Sequence, residues 1–474
     1  MTLELSIYMR LASFDIFDTT LIRLYGRPEN IDVLLAGQEH SLGDALERQI
    51  EKDCLIANPA VKDLIRQKRK EGWQIAFISD MYLDSVFLSE ILMREGCFLP
   101  GDKIYVSCEH NARKDTGALY DLVRKELQPD EWEHYGDNPQ SDVRMAEWKG
   151  IKVHLIDNFY RDLASRFVAP AYLPYVLWIL EEAKKQGIQR LYFISRDGYI
   201  LQQIADALPH DGVELRYFFT SRKALQKTFK NEEDHQLTIQ YFRQEGLTED
   251  CRSAMVDVGW LGTSRKMINQ ILAEQGAKPV HFFYFGTTRS ILSADYGSFQ
   301  SFLEAGFLPY YMQLLVEHYF SASPYPTTFG YQKLQNGQIV PCFPEGERIQ
   351  ETKIIKTNVE VCLQMLEAFS KEGTPSVSVL CLWAEDRLAT LAHKFFFADF
   401  SPLMDLPKFD GQDFVRKLSS KEVLLMTLTG QHITVFDKGS LAMTFKNLRV
   451  QRNLWRLHCK SGKLRSWLYQ LSRK

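Results

Sequence analysis

Four acidic residues, one serine and one lysine in the first third of this 474-residue chain have the types and spacing for phosphoryl chemistry. They lie in FDIFDTT (14–20), FISDMYL (77–83), ARKDTG (112–117) and YGDNPQSDV (135–143). Asp15 directly follows an apolar run, and a carboxylate at a strand end can attack phosphorus to form an aspartyl phosphate, dividing one displacement into two. Attack on a phosphate dianion needs its charge screened. Asp137 and Asp142, together with Asp15, offer the hard oxygen ligands that suit Mg²⁺. Ser79 can hydrogen-bond a phosphoryl oxygen, and Lys114 can neutralise charge on the phosphoryl group and the nucleophile. Taken singly, each segment has a plainer reading: a turn or N-cap for Asp15, a solvated lysine, an Asn-Pro loop.

Residues 1–158 alternate short apolar runs with polar helical stretches, which predicts βα units and a mainly parallel sheet. The expected strands are Leu11–Phe17, Gln74–Ser79, Lys103–Ser107, His134–Gly136 and Lys152–Ile156. In open α/β sheets ligands gather beyond the carboxyl ends of the strands, so residues distant in sequence would converge there.

In that order the four segments resemble the active site of the haloacid dehalogenase (HAD) superfamily, over about residues 8–158. The resemblance implies an α/β, HAD-type Rossmann-like sheet, Asp15 as nucleophile, and Mg²⁺ held by Asp15, Asp137, Asp142 and the backbone carbonyl of Phe17. It also implies a cap inserted after the first motif, here the polar, helical-looking Asn30–Lys70, small enough to leave the site fairly open. One position departs from the pattern. HAD phosphatases usually carry a second Asp two residues after the nucleophile as general acid and base. Phe17 stands there, as in the haloalkanoate-processing branch, and Asp18 and Thr19 follow. Proton transfer would then fall to Asp18, a substrate group or water. An alternative register, with Asp18 as nucleophile and Thr20 two positions on, resembles the Asp-x-Thr of P-type pumps. Three functions stay open: a Mg²⁺-dependent phosphatase or phosphotransferase, a catalytically degenerate binding or scaffold subunit, and a dehalogenase-like hydrolase attacking carbon.

RLYFISRDGYIL (190–201) echoes QIAFISDMYL (74–83), which predicts a second Rossmann-like unit over 159–345. It continues into AMVDVGWLGTSRKMI (254–268), where Gly259, Gly262 and Thr263 open a helix and are candidates for cofactor binding through close backbone approach to an anion. A tight strand-to-helix turn capped by Thr263 or Ser264 explains the same residues equally well. Arg196, Asp197, Arg222 and Glu317 are candidates for the same cleft. The combined segments resemble large bacterial HAD-like proteins of surface-polysaccharide assembly. That implies a cytoplasmic role on a sugar phosphate, nucleotide sugar or lipid-linked glycan, beside a glycosyltransferase partner.

Residues 346–474 read as a helical or mixed extension, with helices over 354–371 and 377–397, a loop over 402–413 and a β-like stretch over 422–445. After Asp437 no acidic residue occurs, and the tail 438–474 interleaves Lys and Arg with Leu and Trp. Such a segment can lie peripherally on an anionic membrane face, dock on a partner or cover the chain's own surface.

Composition bounds these readings. With 45% hydrophobic residues the chain has material for sizeable cores, and its length suggests two to four domains. The net charge of −3, from 57 basic and 60 acidic residues, gives no reason to expect nucleic acid as a partner. Eight cysteines without a CxxC pair indicate neither a zinc site nor a disulfide framework, and fit a reducing cytoplasm. The N-terminus has no signal-peptide pattern, and no run approaches the roughly 18 apolar residues of a membrane span.

Overall fold

The computed structural model describes residues 8–35, 44–308 and 310–394. The tail 438–474, the loop 402–413 and the stretch 422–445 lie outside the described residues. The chain forms two compact units, one of Met1–Ser165 with Gln364–Pro375 and one of Arg166–Leu363 with the residues from Ser376 onward.

The first unit is built on strands β1 (Arg10–Phe14), β4 (Gln74–Ser79), β5 (Lys103–Val106), β6 (Glu131–Gly136) and β7 (Lys152–Leu155). A short antiparallel pair, β2 (Leu21–Arg23) and β3 (Leu55–Ala57), lies between β1 and β4 in sequence. The large sheet is parallel throughout, in the order β5-β4-β1-β6-β7. β1 and β4 are buried at every position after their first, on both faces of the sheet, rather than at alternate positions. Phe14 packs its ring on Tyr135 of the neighbouring strand at 4.9 Å between centroids. The helices Pro59–Lys70 and Ser85–Arg94 begin at Asn58 and Asp84, whose side chains accept backbone N–H groups of the first turn. The first strand is shorter than its apolar run, because the chain turns at Asp15: Thr20 donates to the Asp15 carbonyl through its hydroxyl (2.6 Å) and its amide (3.3 Å). In the region expected to form a cap, Asn30–Lys70, the described residues hold the helices Ile31–Leu35, Asp44–Cys54 and Pro59–Lys70 and the strand β3.

The second unit has its own parallel sheet of β8 (Arg190–Ile194), β9 (Glu214–Phe218), β10 (Ser253–Asp257), β11 (His281–Tyr284) and β12 (Phe299–Ser301), in the order β12-β11-β10-β8-β9. A hairpin, β13 (Gly330–Lys333) with β14 (Ile339–Cys342), follows. The α/β class expected from the sequence is therefore what the structure shows, with two Rossmann-like sheets. The helix Lys353–Glu372 runs from the second unit into the first at Gln364, and Val377–Lys394 packs against Ala169–Gln186. The helical stretch Phe159–Gln186 has a window of mean hydropathy 1.4, long and apolar enough for a membrane span, contrary to the sequence expectation. That window is 78% buried in the protein, as a core helix would be.

Candidate active site

Numbered by chain order, the first sheet runs 3-2-1-4-5, so strand addition reverses between β1 and β6. Loops leaving those two strands part at this switch point and open a crevice. Asp15 stands directly after β1 and Asp137 directly after β6. Asp15, Asp137 and Asp142 each offer a carboxylate oxygen within 4.8 Å of the others. Asp142 reaches this position because Gly136 has no side chain: a Cβ there would lie 2.4 Å from the Asp142 carboxyl carbon. The Asn138 amide holds Asp142 from behind at 3.0 Å.

Lys114 completes the group. Its ammonium donates to Asp142 at 2.6 Å and also to Asp15, and it is buried at 3% exposure. Burial alone would lower the lysine's pKa, yet Asp15 and Asp142 outweigh it and hold the ammonium above the usual lysine range. Burial pushes the Asp15 carboxyl well up, and Asp142 and Asp137 add to this against the pull of Lys114. Burial acts the same way on Asp142, but Lys114 and His134 more than offset it and keep that group ionised. Asp137 is pushed up to about 7, by burial and then by the neighbouring Asp18 and Asp142 charges. Three crowded carboxyl groups against one ammonium leave an excess of negative oxygen, the donor set that fits a hard divalent cation.

Ser79 ends β4 beside β1 and is buried at 2% exposure, at the edge of the sheet where the carboxylates gather. Phe17 brings no polar side-chain atom, and its ring lies under the Arg23 guanidinium at 4.6 Å. Asp18 sits in the left-handed region (φ 57°), and its carboxylate is paired with Arg27 at 3.3 Å and Arg23 at 3.7 Å. Thr19 donates to Asp137 at 3.4 Å.

Several residues that position the site were not singled out from the sequence. Asp80 accepts the Lys114 amide through both carboxylate oxygens, at 2.8 and 3.0 Å, and so fixes the lysine's turn. Its place directly after a predicted strand, in FISD, was the available signal. Behind Asp142, His134 Nε2 lies 3.4 Å from the carboxylate and 3.1 Å from the Tyr120 hydroxyl, while Nδ1 lies 2.8 Å from Ser13. Ser13 in turn accepts from the Trp132 indole at 2.7 Å. Burial lowers the His134 pKa and favours the neutral ring. Nothing in the sequence marks this chain of contacts, because it runs across two strands, a helix and the turn that carries Asp142.

In the second unit, Gly259 and Gly262 both take a positive φ. A Cβ on Gly259 (φ 137°) would lie 2.1 Å from the Gly286 carbonyl oxygen. Gly262 (φ 77°) is the N-cap of the helix Thr263–Glu274.

No family model matches the chain, and no curated protein matches it. Among solved structures it is similar to the HAD-hydrolase YfnB of Bacillus subtilis bound to magnesium, at 14% identity over 32% of this chain and 91% of that one, with a TM-score of 0.25. A HAD family enzyme of Bacteroides thetaiotaomicron, an Asp-to-Ala mutant in complex with magnesium and inorganic phosphate, aligns at 11% identity over 31% of this chain and 94% of that one, with a TM-score of 0.25. The L-2-haloacid dehalogenase RSc1362 aligns at 17% identity over 32% of this chain and 88% of that one, again with a TM-score of 0.25.

Proposed function

We propose that the first unit is a HAD-type, Mg²⁺-dependent phosphatase or phosphotransferase acting through Asp15. The observation that supports this reading is the buried Lys114 ammonium shared by Asp15 and Asp142, with Asp137 in reach of the same point. Asp15, Asp137 and Asp142 would hold the ion, with the Phe17 carbonyl as a further ligand. When bound, Mg²⁺ screens the negative charge of the phosphoryl group.

The residues divide the work. An Asp15 oxygen attacks phosphorus, the bond to the ester oxygen breaks, and the departing oxygen takes a proton from water. Lys114 balances charge on the nucleophile and the transferred group, and Ser79 holds a phosphoryl oxygen. Water then attacks the aspartyl phosphate, releasing inorganic phosphate and restoring the carboxylate. A sugar phosphate or glycan-linked substrate, a glycosyltransferase partner, a cytoplasmic location and peripheral membrane contact through the basic tail belong to the same proposal. They rest on the sequence.

Asp18 favours a second reading. Its two arginine partners occupy the only carboxylate beside Phe17 in FDIFDTT that lies outside the metal cluster, which suits a binding or scaffold subunit without turnover. Phosphate release by the purified chain with Mg²⁺, across sugar phosphates, nucleotides and aryl phosphates, separates the two. Release that disappears in Asp15→Asn is expected; binding of Mg²⁺ and phosphate with no release from any substrate establishes the second reading.

A further inference from the structure

The second sheet repeats the layout that builds the first site. Counted from β9 to β12 its strands run 2-1-3-4-5, so strand addition reverses between β8 and β10 and the loops leaving those strands part. In the first unit the strands flanking the switch point deliver Asp15 and Asp137. Here β8 leads into Ser195-Arg196-Asp197, and β10 ends on Asp257.

Two more segments reach the same place. Arg222 opens the helix Arg222–Thr228 after β9, and Glu317 lies in the helical turn Val316–Phe320. Asp197 feels Glu317, Arg196, Asp257 and Arg222 through space, and Glu317 feels Arg222 and Arg196. Glu317 accepts the Trp260 indole N–H at 2.7 Å through one carboxylate oxygen. Asp257 is turned toward the amides of Gly259 and Val258. Asp197 and Glu317 are only part-buried and Arg222 is exposed, so water reaches the group even though protein crowds it.

An aromatic panel adjoins these charges. Tyr217, next to the end of β9, places its hydroxyl 3.4 Å from the Arg196 carbonyl. Its ring centroid lies 4.9 Å from that of Phe219, 5.3 Å from Tyr325 and 6.4 Å from Tyr199. All four rings are part-buried rather than closed off in the core. Carboxylates accept hydroxyl donors, an exposed guanidinium takes an oxyanion, and flat rings pack against C–H faces.

We propose that the second unit binds its own ligand at this switch point, and that the ligand is a polyhydroxylated ring carrying a phosphate, the chemistry shared by sugar phosphates and nucleotides. Asp197 and Glu317 take ring hydroxyls, Arg222 takes the phosphate, and the Tyr217 panel takes the ring's apolar face. The site is separate from the phosphoryl chemistry of the first unit and does not depend on it.

The test is calorimetric titration of the full chain carrying Asp15→Asn, so that the first site cannot turn the probes over, with glucose 1-phosphate, uridine diphosphate glucose and inorganic phosphate. One of the two organic probes is expected to bind, and to bind at least about tenfold more weakly when Arg222→Ala or Asp197→Asn is added, the loss expected for one charge-assisted contact. Arg222 is exposed, so its removal leaves the fold intact. Binding of glucose 1-phosphate assigns a sugar phosphate; binding of the uridine compound alone assigns a nucleotide. The proposal is overturned if neither organic probe binds, if inorganic phosphate binds as tightly as they do, or if both substitutions leave the affinity unchanged. Because heat rather than turnover is read, an inactive first site would leave the result interpretable.

Discussion

The Lys114 ammonium lies 2.6 Å from an Asp142 carboxylate oxygen, and both side chains are buried, at 4% and 1% exposure. With Asp15 as its other acceptor, the lysine is the only cation among the described residues that touches the carboxylate group directly. Replacing it by Met leaves two buried carboxylates without a counter-charge, a loss of about 3–5 kcal/mol for comparable buried pairs. Lys114→Met should therefore lower the urea midpoint of the first unit in chelator, and Mg²⁺ should restore part of it. Equal midpoints for variant and parent in chelator would show that the shared ammonium contributes nothing.

Asp18 is held by Arg27 and Arg23, in a backbone conformation that Asn also tolerates. If its part is structural, Asp18→Asn keeps kcat within about tenfold of the parent, whereas a lost general acid or base lowers it by roughly 10²–10⁴. With no acid/base carboxyl at Phe17, the aspartyl phosphate should also accumulate. Acid-quenched samples taken during turnover of a radiolabelled phosphate ester read that directly, and the absence of labelled protein at full activity would contradict it.

The two glycines of VDVGWLGTS should respond unequally to alanine. Gly259→Ala drives a Cβ into the Gly286 carbonyl at 2.1 Å, contact with rigid backbone, and should destabilise the second unit by more than the ~1–3 kcal/mol of ordinary overpacking. Gly262→Ala meets nothing nearer than the flexible Arg265 guanidinium at 3.3 Å, so only its positive φ opposes the change, at about 1–2 kcal/mol. Urea unfolding of the two variants ranks them; the reverse order would mean that the Gly259 contact relaxes.

Stability of the second unit should fall as pH rises. Burial pushes the Asp197 carboxyl up to about 8; Glu317 and Asp257 push the same way and Arg196 and Arg222 oppose them. Asp257 is itself raised to about 7, chiefly by burial. An unfolded Asp loses its proton near about pH 4, so between there and the folded value the native state binds more protons than the unfolded one. Stability is thus highest below that window, declines through it, and levels off above the folded pKa. Asp197→Asn should flatten the decline, measured as the urea midpoint against pH.

Much of the first unit was legible because its information is local. β4 occupies the range that its unbroken apolar run predicts, and β5 and β7 each end one residue short of theirs. Asp15, Asp137 and Asp142 could be grouped because Asp15 and Asp137 each follow a recognisable strand end, Asp142 lies on the loop that Asp137 opens, and their chemistry needs company. What the sequence hid is what depends on distant partners. Arg23 and Arg27 look like ordinary surface charges until Asp18 turns toward them. Ser13, Tyr120 and His134 look like core polar residues, and only the β1-β6 pairing brings Ser13 opposite His134. At Gly259 the sequence allowed both a ligand approach and a tight turn, because it cannot display the carbonyl of Gly286, twenty-seven positions on, that excludes a side chain there.

Residues Gln364–Pro375 return to the first unit after the whole of the second sheet has been laid down. Gln364 accepts from Arg161 at 2.7 Å, and Lys371 donates to the Asp53 carbonyl at 3.0 Å. During synthesis the first unit therefore emerges unfinished and waits for some two hundred residues of the second before these last contacts can close. A ribosome stalled in that interval would display a complete carboxylate–lysine centre on a domain still lacking its final helical segment. The order of translation thus makes the second unit's synthesis a prerequisite for the first unit's completion.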